Sequence, residues 1–526
     1  MKRLMRLMFL LGAFSAGATA QSTDSSSYFP LGLWGIWIDR ARAPYAGSLQ
    51  PDDWDKERAN WQAINGNYLV YWIPYWEENN LMTWASTHGY KMDIANWHYW
   101  DSAHSENPNS LYRWMNSSPL SDSVAAINEI SRIHTAYGGQ PGFHNYTFGQ
   151  EGPVTDQTKW SKIEFLSRRI HDIDPSHKSY MVAANSPPAG FTDSVPHLDI
   201  LQVDPYVFRV YIDPDLTDQQ SALDDLLDHY DSTMRSVRGK HTEWQAIIQA
   251  HSEISGDSRR RPSALELRVQ AYLALSRGAR GITSYVYGSE VPVGTPKESD
   301  PLPIEGLLLG GAPRLVYEIR GLIDLNRDPY TSITDPDGIP AFQNVAELYT
   351  ELSALGPQAR KLRLYDAFPN SGIPTANASC IIGVSGNFVE IGVFKRFDQG
   401  PDSTAYFMLV NRICNDATGE IADSQAVTVS FAHPAFQWLK ITEVVSGRQW
   451  AIAGSGAGAV FSDKIAPGGG KLYKLEQADL MTLATFNKSA SSTAIAYSNQ
   501  RKLCRESNGR LHEVFESGGE AFYRNS

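Results

Sequence analysis

Three carboxylates fall where strand-like runs give way to loops, positions from which side chains can converge on one point. The stretch "FHNYTFGQEGP" (143–153) opens with aromatic and β-favouring residues and closes with Glu151 set between Gln150 and a Gly-Pro break. In "LQVDPYVF" (201–208) Asp204 stands directly before a proline, which stops a strand and turns the chain into a loop. "TEWQAIIQAHSE" (242–253) runs out through Gln249 and His251 to Glu253. A carboxylic acid that holds its proton near neutral pH, faced by a second carboxylate, can donate and accept protons on the two sides of a bond. Each residue also has a plain structural reading: Glu151 as a cap or a partner for a surface cation, and Asp204 as an ordinary turn former before proline.

The elements that must position these residues repeat along the first two thirds of the chain. Eight short apolar or aromatic runs, at 31–39, 66–76, 90–100, 141–151, 178–185, 198–208, 242–252 and 280–288, alternate with amphipathic stretches. Among the helices expected between and after them, 122–139 sets Val124, Ile127, Ile130 and Ile133 at helical spacing and stops at Gly138-Gly139. Those at 156–175 and 262–279 follow, and 341–362 completes the last unit. Eight βα units make a (β/α)8 TIM barrel, an α/β fold whose chemistry sits at the C-terminal ends of the strands. On that basis Glu151, Asp204 and Asp39 stand at the mouth, while Glu243 lies near the opposite end of its strand.

This layout resembles the clan A glycoside hydrolase superfamily over roughly residues 28–362. The resemblance implies a general acid at Glu151, after the fourth strand. Many members of that clan have Asn before the acid, where it bonds the sugar 2-hydroxyl; here Gln150 stands in that place. The seventh strand, where a retaining member keeps its nucleophile, carries no carboxylate at its central end, and Gln249 and His251 occupy the expected mouth. Glu253 is the first candidate partner for Glu151 and Asp204 the second. Asp204 could otherwise hold a sugar hydroxyl, tune Glu151 or activate water.

The tryptophans point to the same ligand class. Nine of the fourteen lie between residues 34 and 100, and Trp72, Trp76, Trp97 and Trp100 fall at or just after the ends of the second and third strands. Flat aromatic faces stack on the C–H faces of sugar rings. Trp34 and Trp37, inside a strand, are expected to pack against helices. Asp39, Tyr206 and Tyr287 complete the expected binding set, with Asp39 reaching a terminal hydroxyl or pairing with Arg40 or Arg42, and Tyr287 orienting a carboxylate. No cofactor is called for: phosphate-loop, HExxH and GxSxG motifs are absent. His98, His144 and His251 are spread over three strand ends, and no metal is assigned to them.

The rest of the chain sets limits. With 526 residues, more than one domain is expected. A net charge of −12 without a long basic run argues against nucleic acid as a ligand. Residues 1–20 read as a signal peptide, with Lys2, Arg3 and Arg6 before an apolar run and Ala18-Thr-Ala20 as the cleavage site, so a secreted protein, extracellular or periplasmic, is expected, with no integral membrane segment. After the barrel (21–365), short alternating strands suggest an all-β sandwich at 376–476, with packing against the barrel as its role. The tail at 477–526 reads as three strands joined by the turns "SNGR" and "SGGE", in the manner of one propeller blade. Cys380 and Cys414 could pair across strands or remain buried thiols. Carbohydrate is the expected partner, and three functions stay open: an acid-assisted glycosidase, a sugar-binding barrel without catalysis, and a surface adhesion module.

Overall fold

The computed structural model describes residues 28–37, 51–72, 78–95, 110–117, 119–148, 152–209, 216–253, 259–285, 319–323, 329, 340–374, 381–396, 405–416, 418–478, 501–505, 511–517 and 520–525. Eight parallel strands close into a barrel. They are β1 (Leu31–Trp37), β2 (Tyr68–Trp72), β3 (Lys91–Ala95), β4 (Phe143–Thr147), β5 (Lys178–Ala183), β6 (Ile200–Val203), β7 (Glu243–Gln249) and, past the two-residue β8 (Ser252–Glu253), β9 (Ile282–Tyr285). Each barrel strand falls inside one of the eight runs read from the sequence. The order round the ring is the chain order, and the seam closes with Leu31 opposite Ile282 and Trp34 opposite Tyr285.

Helices Trp160–Ile173 and Ser123–Tyr137 each bury one stripe. Helix Trp160–Ile173 turns Trp160, Ile163, Leu166 and Ile170 inward, the three-and-four spacing of an amphipathic helix. Helix Ser123–Tyr137 buries Ala126, Ile130, Ile133 and Tyr137, whereas Val124 is 65% exposed in the first turn and lies outside the apolar face expected for it. Helix Ala264–Ser276 starts with a reciprocal cap: Ser263 Oγ accepts from Glu266 N at 3.2 Å and Glu266 Oε2 accepts from Ser263 N at 2.8 Å. It ends before Gly278, whose φ of 83° is the left-handed stop that favours glycine. Helix Ala341–Ala359 closes the seam. Its Tyr349 hydroxyl donates to the Gly32 carbonyl, accepts from Ser284 N at 3.0 Å and lies 2.9 Å from Ser284 Oγ, joining β1 to β9.

Inside the ring, Trp34, Tyr68, Val70, Tyr180, Val182, Ile200 and Ile247 form one apolar cluster. Trp34 therefore fills the barrel instead of packing on a helix as its strand position suggested. The ring is tight enough that Gly32 is required: a Cβ there would lie 2.6 Å from Thr283 Oγ1 and 2.7 Å from a Tyr68 ring carbon.

Two residues, β10 (Ile319–Arg320), pair antiparallel with β8. A second compact unit begins at Leu364, within β11 (Leu362–Pro369). It continues as β12 (Ile381–Val384), β13 (Val389–Arg396), β14 (Ala405–Asn411), β15 (Gln425–Glu443), β16 (Gln449–Ile465) and β17 (Gly470–Ala478). Together these make an antiparallel β-sandwich. The 19-residue β15 serves both layers: its first half pairs with β12 at Val429–Phe431 and its second with β17 at Trp438–Glu443, with register shifts between. Its core holds Val389, Ile391, Phe407, Val429, Phe461 and Tyr473, and Phe407 stacks on Tyr473 at 5.0 Å. Segments 410–423 and 466–469 group with the barrel unit. The tail is a three-stranded antiparallel sheet of β18 (Arg501–Arg505), β19 (Leu511–Ser517) and β20 (Glu520–Asn525), with β19 in the middle and Ser517 paired with Glu520.

Candidate active site at the C-terminal end of the barrel

Strand alternation sends Ile200, Gln202 and Asp204 to one side of β6. Ile200 lies in the interior cluster, and Gln202 crosses to β9, where its Nε2 donates to Thr283 Oγ1 at 2.8 Å. Asp204 heads this column at the mouth; its backbone N–H still donates to the Ala183 carbonyl at 3.3 Å, and it is only 6% exposed. Its charge is felt below, where it helps hold the Tyr180 hydroxyl in its protonated form after the larger effect of burial.

Beyond Asp204 three rings meet. Tyr206 and Tyr285 stack at 5.3 Å, and His251 stands edge-on to both, at 5.0 and 4.9 Å. His251 Nδ1 lies 3.0 Å from the Tyr285 carbonyl. A carbonyl only accepts, so Nδ1 carries the proton and Nε2 presents a lone pair. That Nε2 is buried with no hydrogen-bond partner among the described residues. Burial, reinforced by the positive charges of Arg259 and Arg261, pulls the imidazole down to about 3, so it is a neutral acceptor across the physiological range. The Arg259 guanidinium lies 5.1 Å from the Tyr206 ring centre, placing a cation on the outer side of the same cluster.

Gln249 holds the loops that carry these groups. Its Oε1 accepts from Phe208 N at 3.0 Å, and its Nε2 donates to the Phe208 carbonyl at 3.0 Å and the Arg260 carbonyl at 2.8 Å. The side chain is fully buried. The amide thus stitches the loop after β6 to the loop after β7, next to the backbone bridge between Arg209 and Arg259. Arg261 adds bonds to the Ala250 carbonyl at 3.3 Å and the Gly321 carbonyl at 3.0 Å.

Tyr206 and His251 are in ring contact, Asp204 follows the end of its strand two residues before Tyr206, and Gln249, expected to bind a ligand, is committed to the backbone of Phe208 and Arg260. For Glu253 and Trp72 the backbone alone is described, Glu253 standing opposite Ile319 in the β8–β10 pair. Glu151, Gln150, Asp39, Trp76, Trp97, Trp100 and Tyr287 lie outside the described residues, as do residues 1–20 and Cys380. Cys414 is a buried free thiol.

Two groups were not weighed from sequence. Asp93, in the middle of β3, is fully buried in the barrel; the Tyr68 hydroxyl donates to it and His144 Nδ1 lies 3.6 Å away. Burial raises its pKa against those partners, and burial likewise lowers that of His144. A carboxylate inside an apolar strand run was the available signal. Arg259–Arg261, three successive cations just past β7 in an acidic chain, were the other.

The N-terminal end of the barrel is built differently. Glu243 opens β7 and is paired with Arg360 Nη1 at 3.0 Å and Lys178 Nζ at 3.5 Å; burial would raise its pKa, but Arg360, Lys178 and Arg280 outweigh it. Asp174 takes Tyr146 Oη at 2.7 Å, Ser176 Oγ at 2.9 Å, His177 Nδ1 at 2.9 Å and His134 Nδ1 at 3.1 Å. Asp199 sits between His171 and His241, the one group among the described residues whose ligand atoms are spaced for a metal ion.

No protein-family model matches the chain, and no curated protein is similar to it in sequence. Among solved structures it is similar to a β-glucuronidase from Ruminococcus gnavus, at 10% identity and a TM-score of 0.39 over 61% of this chain and 49% of that one. A β-D-glucuronidase from Dictyoglomus thermophilum gives 12% and 0.41 over 62% and 51%. A GH27 β-L-arabinopyranosidase from Geobacillus stearothermophilus, in complex with arabinose, gives 9% and 0.45 over 87% and 99%. The chain thus spans about half the length of the glucuronidases it resembles.

Proposed function

We propose that this chain is an exported, carbohydrate-active barrel of the glycoside hydrolase type, cleaving glycosidic bonds at the C-terminal end of the ring. Glu151 serves as proton donor to the leaving oxygen. Asp204 is the carboxylate partner favoured here, with Glu253 as the alternative; the partner either attacks the anomeric carbon or activates water, according to a carboxyl separation of about 5–5.5 or about 6.5–9.5 Å. The reading is carried by one observation: β6 runs out to a buried carboxylate, Asp204, two residues before Tyr206, which stacks on Tyr285 and meets a neutral His251 whose Nε2 can accept from a hydroxyl. Aromatic faces with a few convergent polar atoms suit a sugar ring.

A second reading, sugar capture without cleavage, is favoured by Gln249, which occupies the end of β7 and is committed to the Phe208 and Arg260 backbone. Rates on a panel of aryl glycosides, with carbohydrate-array binding measured in parallel, separate the two. In the hydrolytic reading Glu151→Gln and Asp204→Asn each reduce kcat by roughly 10²–10⁴-fold while binding persists. Binding by the wild type with no turnover on any glycoside selects the capture reading. Neither binding nor turnover sinks both.

A further inference from the structure

At the N-terminal end of the ring, remote in the fold from the strand ends that carry Asp204 and His251, two imidazoles converge on one carboxylate. Asp199 directly precedes β6, His241 precedes β7, and His171 lies in the last turn of helix Trp160–Ile173. His171 Nε2 is 2.8 Å from Asp199 Oδ2, and His241 Nε2 is 2.6 Å from Asp199 Oδ1. One ligand atom from each residue lies within 4.8 Å of the other two. The two rings are 5.8 Å apart and nearly perpendicular, at 84°.

We propose that His171, Asp199 and His241 bind a single divalent transition-metal ion of the zinc type. Zinc takes imidazole nitrogen and carboxylate oxygen at about 2.0–2.2 Å, so ligand atoms round a tetrahedral ion stand roughly 3.3 Å apart. The present nitrogen–oxygen distances of 2.8 and 2.6 Å need to open by about 0.5–0.7 Å to reach that, and all three ligand atoms already lie within 4.8 Å of one another. The carboxylate is already oriented: Ser179 N and Ser179 Oγ donate to Asp199 Oδ2 at 2.8 and 2.9 Å, the outer support that metal-bound carboxylates receive. The Asp199 side chain is 8% exposed, while those of His171 and His241 are 29% and 41% exposed, which leaves an approach from solvent and an open fourth position. Each imidazole binds through a bare Nε2, so the proton now directed at Asp199 moves to the other ring nitrogen or to solvent. The ion would join a helix to the starts of β5, β6 and β7. That end of a barrel serves stability, so the site is a staple and takes no part in bond cleavage.

The test uses the full, untagged chain, stripped with chelator, equilibrated with zinc chloride and dialysed, then read by metal analysis and thermal unfolding. About one zinc per chain and a raised Tm are expected, with both lost in His241→Ala, which leaves the His171 and Ser179 bonds to Asp199 in place. His229→Ala, at a histidine outside the cluster, keeps both. Cobalt substitution should give the visible spectrum of a nitrogen- and oxygen-ligated ion, absent in His241→Ala. No retained zinc in the wild type overturns the proposal, as does zinc retained equally by His241→Ala.

Discussion

The two ends of the barrel treat buried charge in opposite ways. At the N-terminal end, Glu243, Asp174 and Asp199 are each surrounded by cations, imidazoles or hydroxyls whose bonds hold them ionised. At the C-terminal end His251 is held neutral, and its Nε2 has no hydrogen-bond partner among the described residues. Burial is comparable at the two ends; what differs is whether the described residues complete the polar contacts or leave one open. Completed contacts stabilise the ring, and the acceptor left open on His251 is the one on which the proposed sugar recognition rests.

The sharpest way to break this contrast is to open a completed pair. Arg360→Met removes the nearest cation from Glu243, both being nearly fully buried. Removing one partner of a buried pair costs about 3–5 kcal/mol, because the other charge is left in a poorly solvating site. The urea midpoint of unfolding should fall accordingly, while activity or sugar binding per folded molecule stays unchanged. A loss of function in still-folded Arg360→Met would show that the two ends are coupled and that stability and recognition do not divide between them.

A smaller effect follows from pH. Burial pushes the Asp174 carboxyl upward, but hydrogen bonds from His177, Tyr146 and His134 outweigh it and bring it from 3.8 to about 2. A depressed folded-state pKa contributes stability above the unfolded value, and that contribution is lost as pH falls through the folded one. Asp174 should therefore add about 2 kcal/mol at pH 6, declining from near pH 4 towards pH 2. Chemical denaturation of wild type and Asp174→Asn across that range measures it: the stability gap should narrow as acid is added. A gap that is constant with pH would remove the ionised carboxylate as its cause.

How far the sequence revealed all this depends on which contacts are local. The eight barrel strands were legible because parallel strands, buried on both faces, are written as short apolar runs bounded by turn residues, and helix Ala264–Ser276 because proline and glycine bracket it. β11 was not. "LRLYDAFP" forms the edge of its sheet, and of its residues only Phe368 enters the sandwich core, so no apolar alternation marked it as a strand. β15 was not legible as one strand, since its register shifts interrupt the alternation between Phe431 and Gln437. At the site, Asp204 and His251 were visible as polar residues ending strand runs. The role of Gln249 was not, because its partners are the backbone of Phe208 and Arg260, and backbone leaves no trace in residue type. The N-terminal histidine–carboxylate groups escaped for a related reason: His171, Asp199 and His241 are distant in sequence and meet only when strands close the ring.

The finest distinction lies between the two ends, at Gln245 in the middle of β7. It is fully buried, level with Gln202 in the neighbouring strand, and neither its amide nitrogen nor its amide oxygen has a hydrogen-bond partner among the described residues. Gln202, by contrast, is held by Tyr180 and Thr283. A buried amide without partners carries its desolvation cost uncompensated, so replacement by an apolar side chain of similar volume is expected to be neutral or stabilising. Gln245→Met should leave the unfolding midpoint unchanged or raise stability by up to about 1 kcal/mol, whereas Gln202→Met, which breaks two buried contacts, should lower it by about 1–3 kcal/mol. If Gln245→Met is as costly as Gln202→Met, the polar layer of the mouth extends down through the middle of the ring, and the boundary between recognition and stability sits deeper than Asp204.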